Sequence, residues 1–106
     1  MSNAVIVHKG RTNIVTVSLG VDVSGDEITS EIRAQPDAES ALIATWAVSF
    51  ATNGIDGELV LQLDDVITAQ IKPSGGYMDI KRVSNGEPIP VFDRPLEVTF
   101  RGTVTL

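Results

Sequence analysis

Two stretches of this chain alternate apolar and polar residues so regularly that sheet is the structure they allow. Val15, Val17, Leu19, Val21 and Val23 are separated by Thr16, Ser18, Gly20 and Asp22. Near the other end, Leu96, Val98, Phe100, Val104 and Leu106 alternate with Glu97, Thr99, Arg101, Thr103 and Thr105. A repeat of two is the signature of a strand with one buried and one wet face. Gly102 interrupts the second apolar row, as a bulge or a close backbone approach would. The 13 Val, 10 Ile and 9 Thr among 106 residues agree. Their branched side chains are stiff at χ1 and sit well on a pleated surface.

Further strands are expected between these two. Ala4–His8 is a short first strand. Glu27–Gln35 points Ile28, Ile32 and Ala34 inward, and Glu58–Leu63 lines one face with Leu59, Leu61 and Leu63. Tyr77–Ser84 and Glu87–Phe92 flank Asn85-Gly86, a two-residue turn signal in which both positions favour positive φ. Pro88 and Pro90 offer no amide, which confines the second arm to a sheet edge or an irregular path. Asp37–Phe50 fits two readings. Asp37 is able to cap a helix over 38–47 with Leu42, Ile43 and Trp46 at helical spacing. Leu42, Ala44, Trp46, Val48 and Phe50 also alternate, and this pattern runs further, so a strand is expected. Residues 64–71 read as one helical turn, with Asp64 or Asp65 at its start and Val66, Ile67 and Ile71 inward.

Seven or eight short strands with turn signals about every ten residues describe an all-β, two-sheet antiparallel β-sandwich in a single domain, 1–106. Trp46 and Phe50 are the largest expected core side chains, and Phe100 lies on the apolar row of the last strand.

The formal net charge is −6, and the eight Lys and Arg residues are scattered, only Lys81 and Arg82 being adjacent. Nucleic-acid binding draws its affinity from clustered cations on phosphates, so no nucleic-acid partner is expected. No apolar run approaches the ~20 residues of a membrane span, so no membrane partner is expected either. The first residues lack the apolar core of a signal peptide, and Ser2-Asn3-Ala4 resembles a cloning remnant. There is no cysteine, hence no disulfide, thiolate metal site or thiol nucleophile.

Catalytic groups are sparse. The one histidine, His8, ends a short strand beside Lys9, and no Gly-x-Ser-x-Gly turn occurs. Asp22-Val23-Ser24-Gly25-Asp26-Glu27 groups three carboxylates around a glycine, but without the spacing of a calcium loop, so a solvated turn is the simpler reading. Asp64-Asp65 is explained as a helix start. The aromatics Trp46, Phe50, Tyr77, Phe92 and Phe100 are few, and four of them have places in strand patterns. That leaves little for a sugar-stacking platform. Gly75-Gly76 leads into a strand, not into a phosphate-binding helix. No catalytic, cofactor-binding or metal-binding residue is assigned, and no cofactor is expected.

The order of motifs from Leu63 onward resembles small immunoglobulin-like domains of tailed phages and prophages. Leu63-Asp64-Asp65-Val66-Ile67-Thr68-Ala69-Gln70-Ile71 is a strand end followed by a helical turn. Lys72-Pro73-Ser74-Gly75-Gly76-Tyr77-Met78-Asp79 leads into a Tyr-x-Asp strand, and the Asn85-Gly86 hairpin and Gly102-Thr103-Val104-Thr105-Leu106 follow. Ile55-Asp56-Gly57-Glu58-Leu59-Val60-Leu61 is similar to the strand that precedes the turn. The resemblance covers about residues 10–106 and includes the N-terminal domain of baseplate upper proteins. It implies an immunoglobulin-like sandwich and a non-enzymatic structural or assembly role in a particle, as a tail, baseplate or accessory component. The implied partners are other virion proteins or further copies of the chain, in the virion or in the bacterial cytoplasm before assembly. No extension carrying a receptor-binding arm follows Leu106, which points to the accessory form. The alternative is a sandwich that binds a glycan or peptide through an exposed ring of Tyr77, Trp46 or Phe92.

Tyr77 is expected to form a tyrosine corner, its hydroxyl tied to backbone a few residues upstream, with Gly75 and Gly76 freeing the chain to turn and Asp79 on the same face.

Overall fold

The computed structural model describes residues 5–37, 39–91 and 95–102. In chain order it contains β1 (Val5–His8), β2 (Asn13–Ser18), β3 (Glu27–Arg33), β4 (Leu42–Phe50) and β5 (Glu58–Leu63). A short helix, α1 (Asp65–Ala69), follows, and then β6 (Gly75–Ser84), β7 (Glu87–Ile89) and β8 (Leu96–Arg101). The strands follow one hydrogen-bonded path, β1-β8-β6-β3-β4-β5-β2, with β7 attached to β6.

That path folds over at β4. Residues 42–46 of β4 pair with β3, and Ala47–Phe50 pair with β5. One strand thus serves both sheets, and the inward residues of each meet in a shared core. Ile32, Met78, Ile80, Val98 and Phe100 come from one side, and Leu59, Leu61 and Leu63 from the other. With β2–β5–β4 opposing β3–β6–β8, the arrangement is an immunoglobulin-like β-sandwich. Every pairing is antiparallel except β1–β8, which is parallel.

The strand expected over Asp37–Phe50 is β4, with Ala44 and Trp46 buried and Phe50 half-buried against the core. Buried indoles normally find an acceptor, yet Trp46 Nε1 has none among the described residues. The first alternating row is cut short: β2 stops at Ser18, and Gly20, with φ of 72°, turns the chain out of the strand. Val23 still reaches the core, its amide donating to the Gly54 carbonyl at 2.8 Å. β7 ends at Ile89, before Pro90, and among the described residues pairs only with β6. Asn85 and Gly86 take φ of 53° and 80° between the paired Ser84 and Glu87, the geometry expected of that turn. Phe92 and residues 103–106 lie outside the described residues.

The helical turn buries Ile71 as expected, but not Val66 or Ile67. Val66 and Ile67 are exposed, whereas Thr68 and Ile71, three residues apart, are buried. Thr68 Oγ1 donates its one proton to the Arg11 carbonyl at 2.7 Å, with the Asp65 carbonyl a more distant acceptor at 3.2 Å. The Thr68 side chain is fully buried, so its hydroxyl requires an acceptor, and the Arg11 carbonyl supplies one. Asp64 occupies the N-cap position, but its side chain does not cap; its Oδ1 accepts from Gln62 Nε2 at 2.9 Å.

Among the described residues the Tyr77 hydroxyl has no backbone partner, so the expected corner is not formed there. The tyrosine lies on the outer face of β6, half-buried, because Gly76, Met78 and Ile80 take the inward positions. Gly76 is needed for closeness, not for rotation. A Cβ there would come within 2.8 Å of the Arg33 carbonyl and 3.0 Å of Ile43 Cδ1. A polar joint lies elsewhere, where Thr68 and Asn13 tie α1 and β1 to the turn before β2. Asn13 is buried, donates from Nδ2 to the His8 and Arg11 carbonyls, and accepts the His8 amide, each at 2.9 Å.

Candidate functional site

Because inward and outward positions alternate, the register of β3 against β6 determines what stands on the outer face. Thr29 opposes Lys81, Glu31 opposes Asp79, and Arg33 opposes Tyr77. Tyr77 is also opposite Glu97 on β8. The turn after β3, with Gln35, Pro36 and Asp37, rises on one side of these residues and Pro95 on the other. Between them lies a cleft of about 220 Å³.

The turn wall is held by its own hydrogen bonds. Ser40 Oγ shares its one proton between the Asp37 and Gln35 carbonyls, at 2.9 and 3.0 Å, and the Gln35 amide donates back to it at 3.2 Å. Arg33 ties the wall to the floor. Its Nη1 donates to the Ser40 carbonyl at 2.8 Å and its Nη2 to Glu31 Oε1 at 2.9 Å. Asp79 and Lys81 have no side-chain partner among the described residues. Glu31 and Asp79 face each other across neighbouring strands, a like-charge opposition that the bond from Arg33 to Glu31 offsets in part. The cleft therefore offers a half-buried ring, two proline walls and charges of both signs. This suits binding of a polar chain or side chain.

The other residues singled out from the sequence are dispersed. Trp46 and Phe100 are core, Phe50 borders it, and Asn85-Gly86 is the far hairpin turn. Asp79 shares the outer face with Tyr77, as expected. His8 is exposed at the end of β1, where its main chain is engaged by Asn13. Two carboxylates of the 22–27 turn, Asp22 and Asp26, are already engaged by protein donors. Asp22 Oδ1 accepts the Ser24 amide at 2.9 Å and its hydroxyl at 2.7 Å, which hold its carboxyl below the usual range. Asp26 Oδ2 accepts Arg82 Nε at 2.5 Å; that bond first, then one from Ser84, lowers its carboxyl in the same way. Among the described residues, no three His, Asp or Glu side chains are grouped to hold a metal ion.

Glu31, Arg33 and Lys81 were not picked out from the sequence as site residues. The signal was present in their spacing: 29, 31, 33 and 77, 79, 81 are the wet positions of two strands, and most are charged. Nothing in the sequence paired those two strands with each other.

No family model matches the sequence, and no curated protein is significantly similar to it. Among solved structures, the chain is similar to the one described as the ZIG-8–RIG-5 IG1–IG1 heterodimer in its monoclinic form. The TM-score is 0.52 at 14% identity, over 95% of this chain and 83% of that one. At that identity the likeness speaks for the fold, an immunoglobulin-like domain, and fold does not fix function.

Proposed function

We propose that this chain is a non-enzymatic structural or assembly protein that works through protein–protein contacts on the outer face of β3 and β6. The observation that carries this reading is the cleft beside Tyr77. Its walls are fixed by Arg33 and Ser40, while Asp79 and Lys81 stand without partners among the described residues. A partner supplying complementary charge relieves the Glu31–Asp79 repulsion and gains a ring to pack on. Catalysis is not part of the reading: Ser30 Oγ donates to the Asp79 carbonyl at 2.7 Å, and among the described residues no hydroxyl of the cleft is hydrogen-bonded to a carboxylate or histidine. The similar solved domain is part of a heterodimer, which makes a protein partner a reasonable occupant.

The setting we propose is a tailed-phage or prophage particle, in its tail, baseplate or accessory set, with other virion proteins or further copies as partners. It rests on the order of motifs from Leu63 to Asp79 and the hairpin after it. The test is capture by the full chain from dissociated particles or an induced prophage lysate. Virion proteins should be retained by the native chain and lost with Lys81→Glu. A native chain that retains none of them, or a gene standing apart from tail, capsid and portal genes, overturns the reading.

Tyr77 favours one other reading, a module for a peptide or glycan, because the ring lines the cleft and is not locked in a corner. A ligand panel that raises the unfolding temperature of the native chain, but not of Tyr77→Ala, would select it.

A further inference from the structure

Sheets end in edges, and this chain defends its edges unequally. β7 contains Pro88, with Pro90 just beyond it, and proline gives no amide to a neighbour. β1 is four residues long and runs directly into Lys9. Shortness and lysine are both ordinary edge defences. β4 is paired on one side along one half and on the other side along the rest.

β2 has none of these protections. It closes the strand path, pairs only with β5 among the described residues, and reads Asn13-Ile14-Val15-Thr16-Val17-Ser18. There is no charge, no proline and no shift of register along it. Its burial is also incomplete. Leu59, Leu61 and Leu63 on β5 are fully buried, whereas the inward Val15 and Val17 on β2 are half-buried. Ile14 on the outer side is 62% exposed.

The direction of the free backbone groups follows from one bond. The Leu19 amide donates to the Gly57 carbonyl at 2.9 Å, so position 19 faces β5, as do 17, 15 and 13 by alternation. The amides and carbonyls of Ile14, Thr16 and Ser18 therefore point to the open edge.

We propose that this edge pairs with itself: two copies of the chain join β2 to β2, antiparallel across a two-fold axis, and extend β4-β5-β2 into one continuous sheet. A chain of net charge −6 repels its own kind, and a charge-free row is where that repulsion is weakest. Parity restricts the register, since outward residues must oppose outward residues. With Thr16 on the axis, Thr16 opposes Thr16 of the second copy, Ile14 opposes Ser18, and Val15 opposes Val17. That register pairs the free backbone groups and covers the half-buried valines in one step. A two-fold contact of one patch with itself is also the commonest form of symmetric association. The inference goes beyond the proposed function: it uses the sheet opposite the cleft and holds whether or not the chain belongs to a particle.

The test is sedimentation of the full chain over a wide concentration range, with two kinds of variant. The wild type should form dimers as concentration rises. Thr16→Lys, on the solvent face, should stay monomeric at those concentrations with an unchanged unfolding midpoint, because it sets two lysines together on the axis. The chain has no cysteine, so Thr16→Cys carries a single thiol. Directly opposed Cα atoms about 5.5 Å apart fall within disulfide reach. Oxidation should link Thr16→Cys into a covalent dimer faster than Thr99→Cys on the other sheet. A wild type monomeric throughout, a Thr16→Lys variant that dimerises as the wild type does, or equal cross-linking of the two thiols overturns the proposal. If Lys81→Glu abolishes dimers and Thr16→Lys does not, the association belongs to the cleft; this inference then fails and the proposed function stands.

Discussion

The two outer faces of the sandwich obey the same alternation and differ in nearly everything else. The face of β3, β6 and β8 carries Glu31, Arg33, Asp79, Lys81 and Glu97 at its wet positions. The face of β2, β5 and the second half of β4 carries Ile14, Thr16, Ser18, Val60, Gln62, Ala47 and Ser49, with Glu58 as its charge. Inward, both sheets bury aliphatic side chains in one core. The difference teaches where specificity is free to vary: core positions are constrained by packing, and the chemistry that distinguishes one partner from another lies on the wet positions. A charged face with a cleft suits a partner of different composition. A neutral face ending in an open edge suits a copy of itself.

The largest expected effect shows that the faces share one core. Trp46→Ala removes the largest core side chain at the strand where the sheets divide, and should cost roughly 3–5 kcal/mol. Denaturant unfolding followed by two probes, one on each face, should show both transitions moving together. If only one moves, the sheets are separate cooperative units. Next comes the joint beneath the neutral sheet. Thr68→Val keeps the volume and removes the hydroxyl bond, leaving the Arg11 carbonyl to Asn13 Nδ2, for a loss of about 0.5–1.5 kcal/mol. A variant as stable as wild type would remove Thr68 from the account of why α1 turns its aliphatic side outward.

How much of this was legible in the sequence depends on whether a residue's environment is local. The leucines of β5 announce their strand by themselves, and Asn85-Gly86 announces its turn, because the causes lie within a few residues. Thr68 and the Asp26–Arg82 pair are different. Their partners lie 57 and 56 residues away, and a buried polar group is recognisable only by its partner. Tyr77 is a third case. Its parity with Asp79 and Lys81 already placed it on the wet face, but the glycines before it suggested a corner. In the structure Gly76 lets β6 approach β3, and the tyrosine follows the alternation. The cleft was illegible for another reason: each of its strands was recognisable, but their adjacency was not.

Acid titration tests the tie at the end of the charged sheet. Asp26 has its carboxyl lowered below the ordinary 3.8, mainly by Arg82. A lowered folded value means that the carboxylate's contribution is complete above the unfolded value and is lost as pH falls through the folded one. Asp26→Asn should thus be less stable than wild type at neutral pH, and the two should converge below 3.8. A gap that stays constant into acid would assign the loss to shape instead of charge. Asp79→Thr should act in the opposite sense. It removes the like-charge opposition to Glu31 and should stabilise by about 0.2–1 kcal/mol. The gain should shrink as salt screens the pair. A loss of stability would mean that Asp79 has a structural partner and that the charged face is not held ready for another chain.

The smallest effect separates the two faces most cleanly from the core. Tyr77→Phe removes one hydroxyl, and that hydroxyl has no partner among the described residues. A tyrosine corner would make the change cost about 0.5–1.5 kcal/mol, the worth of a typical internal hydrogen bond. A ring lining an open cleft should cost less than about 0.5 kcal/mol, as surface substitutions do. The unfolding midpoint distinguishes these outcomes directly. A midpoint held within that limit, together with weaker capture of a partner, would mark Tyr77 as part of the contact surface. A clear drop in midpoint with capture unchanged would return the residue to the frame of the fold and leave the cleft with only its charges.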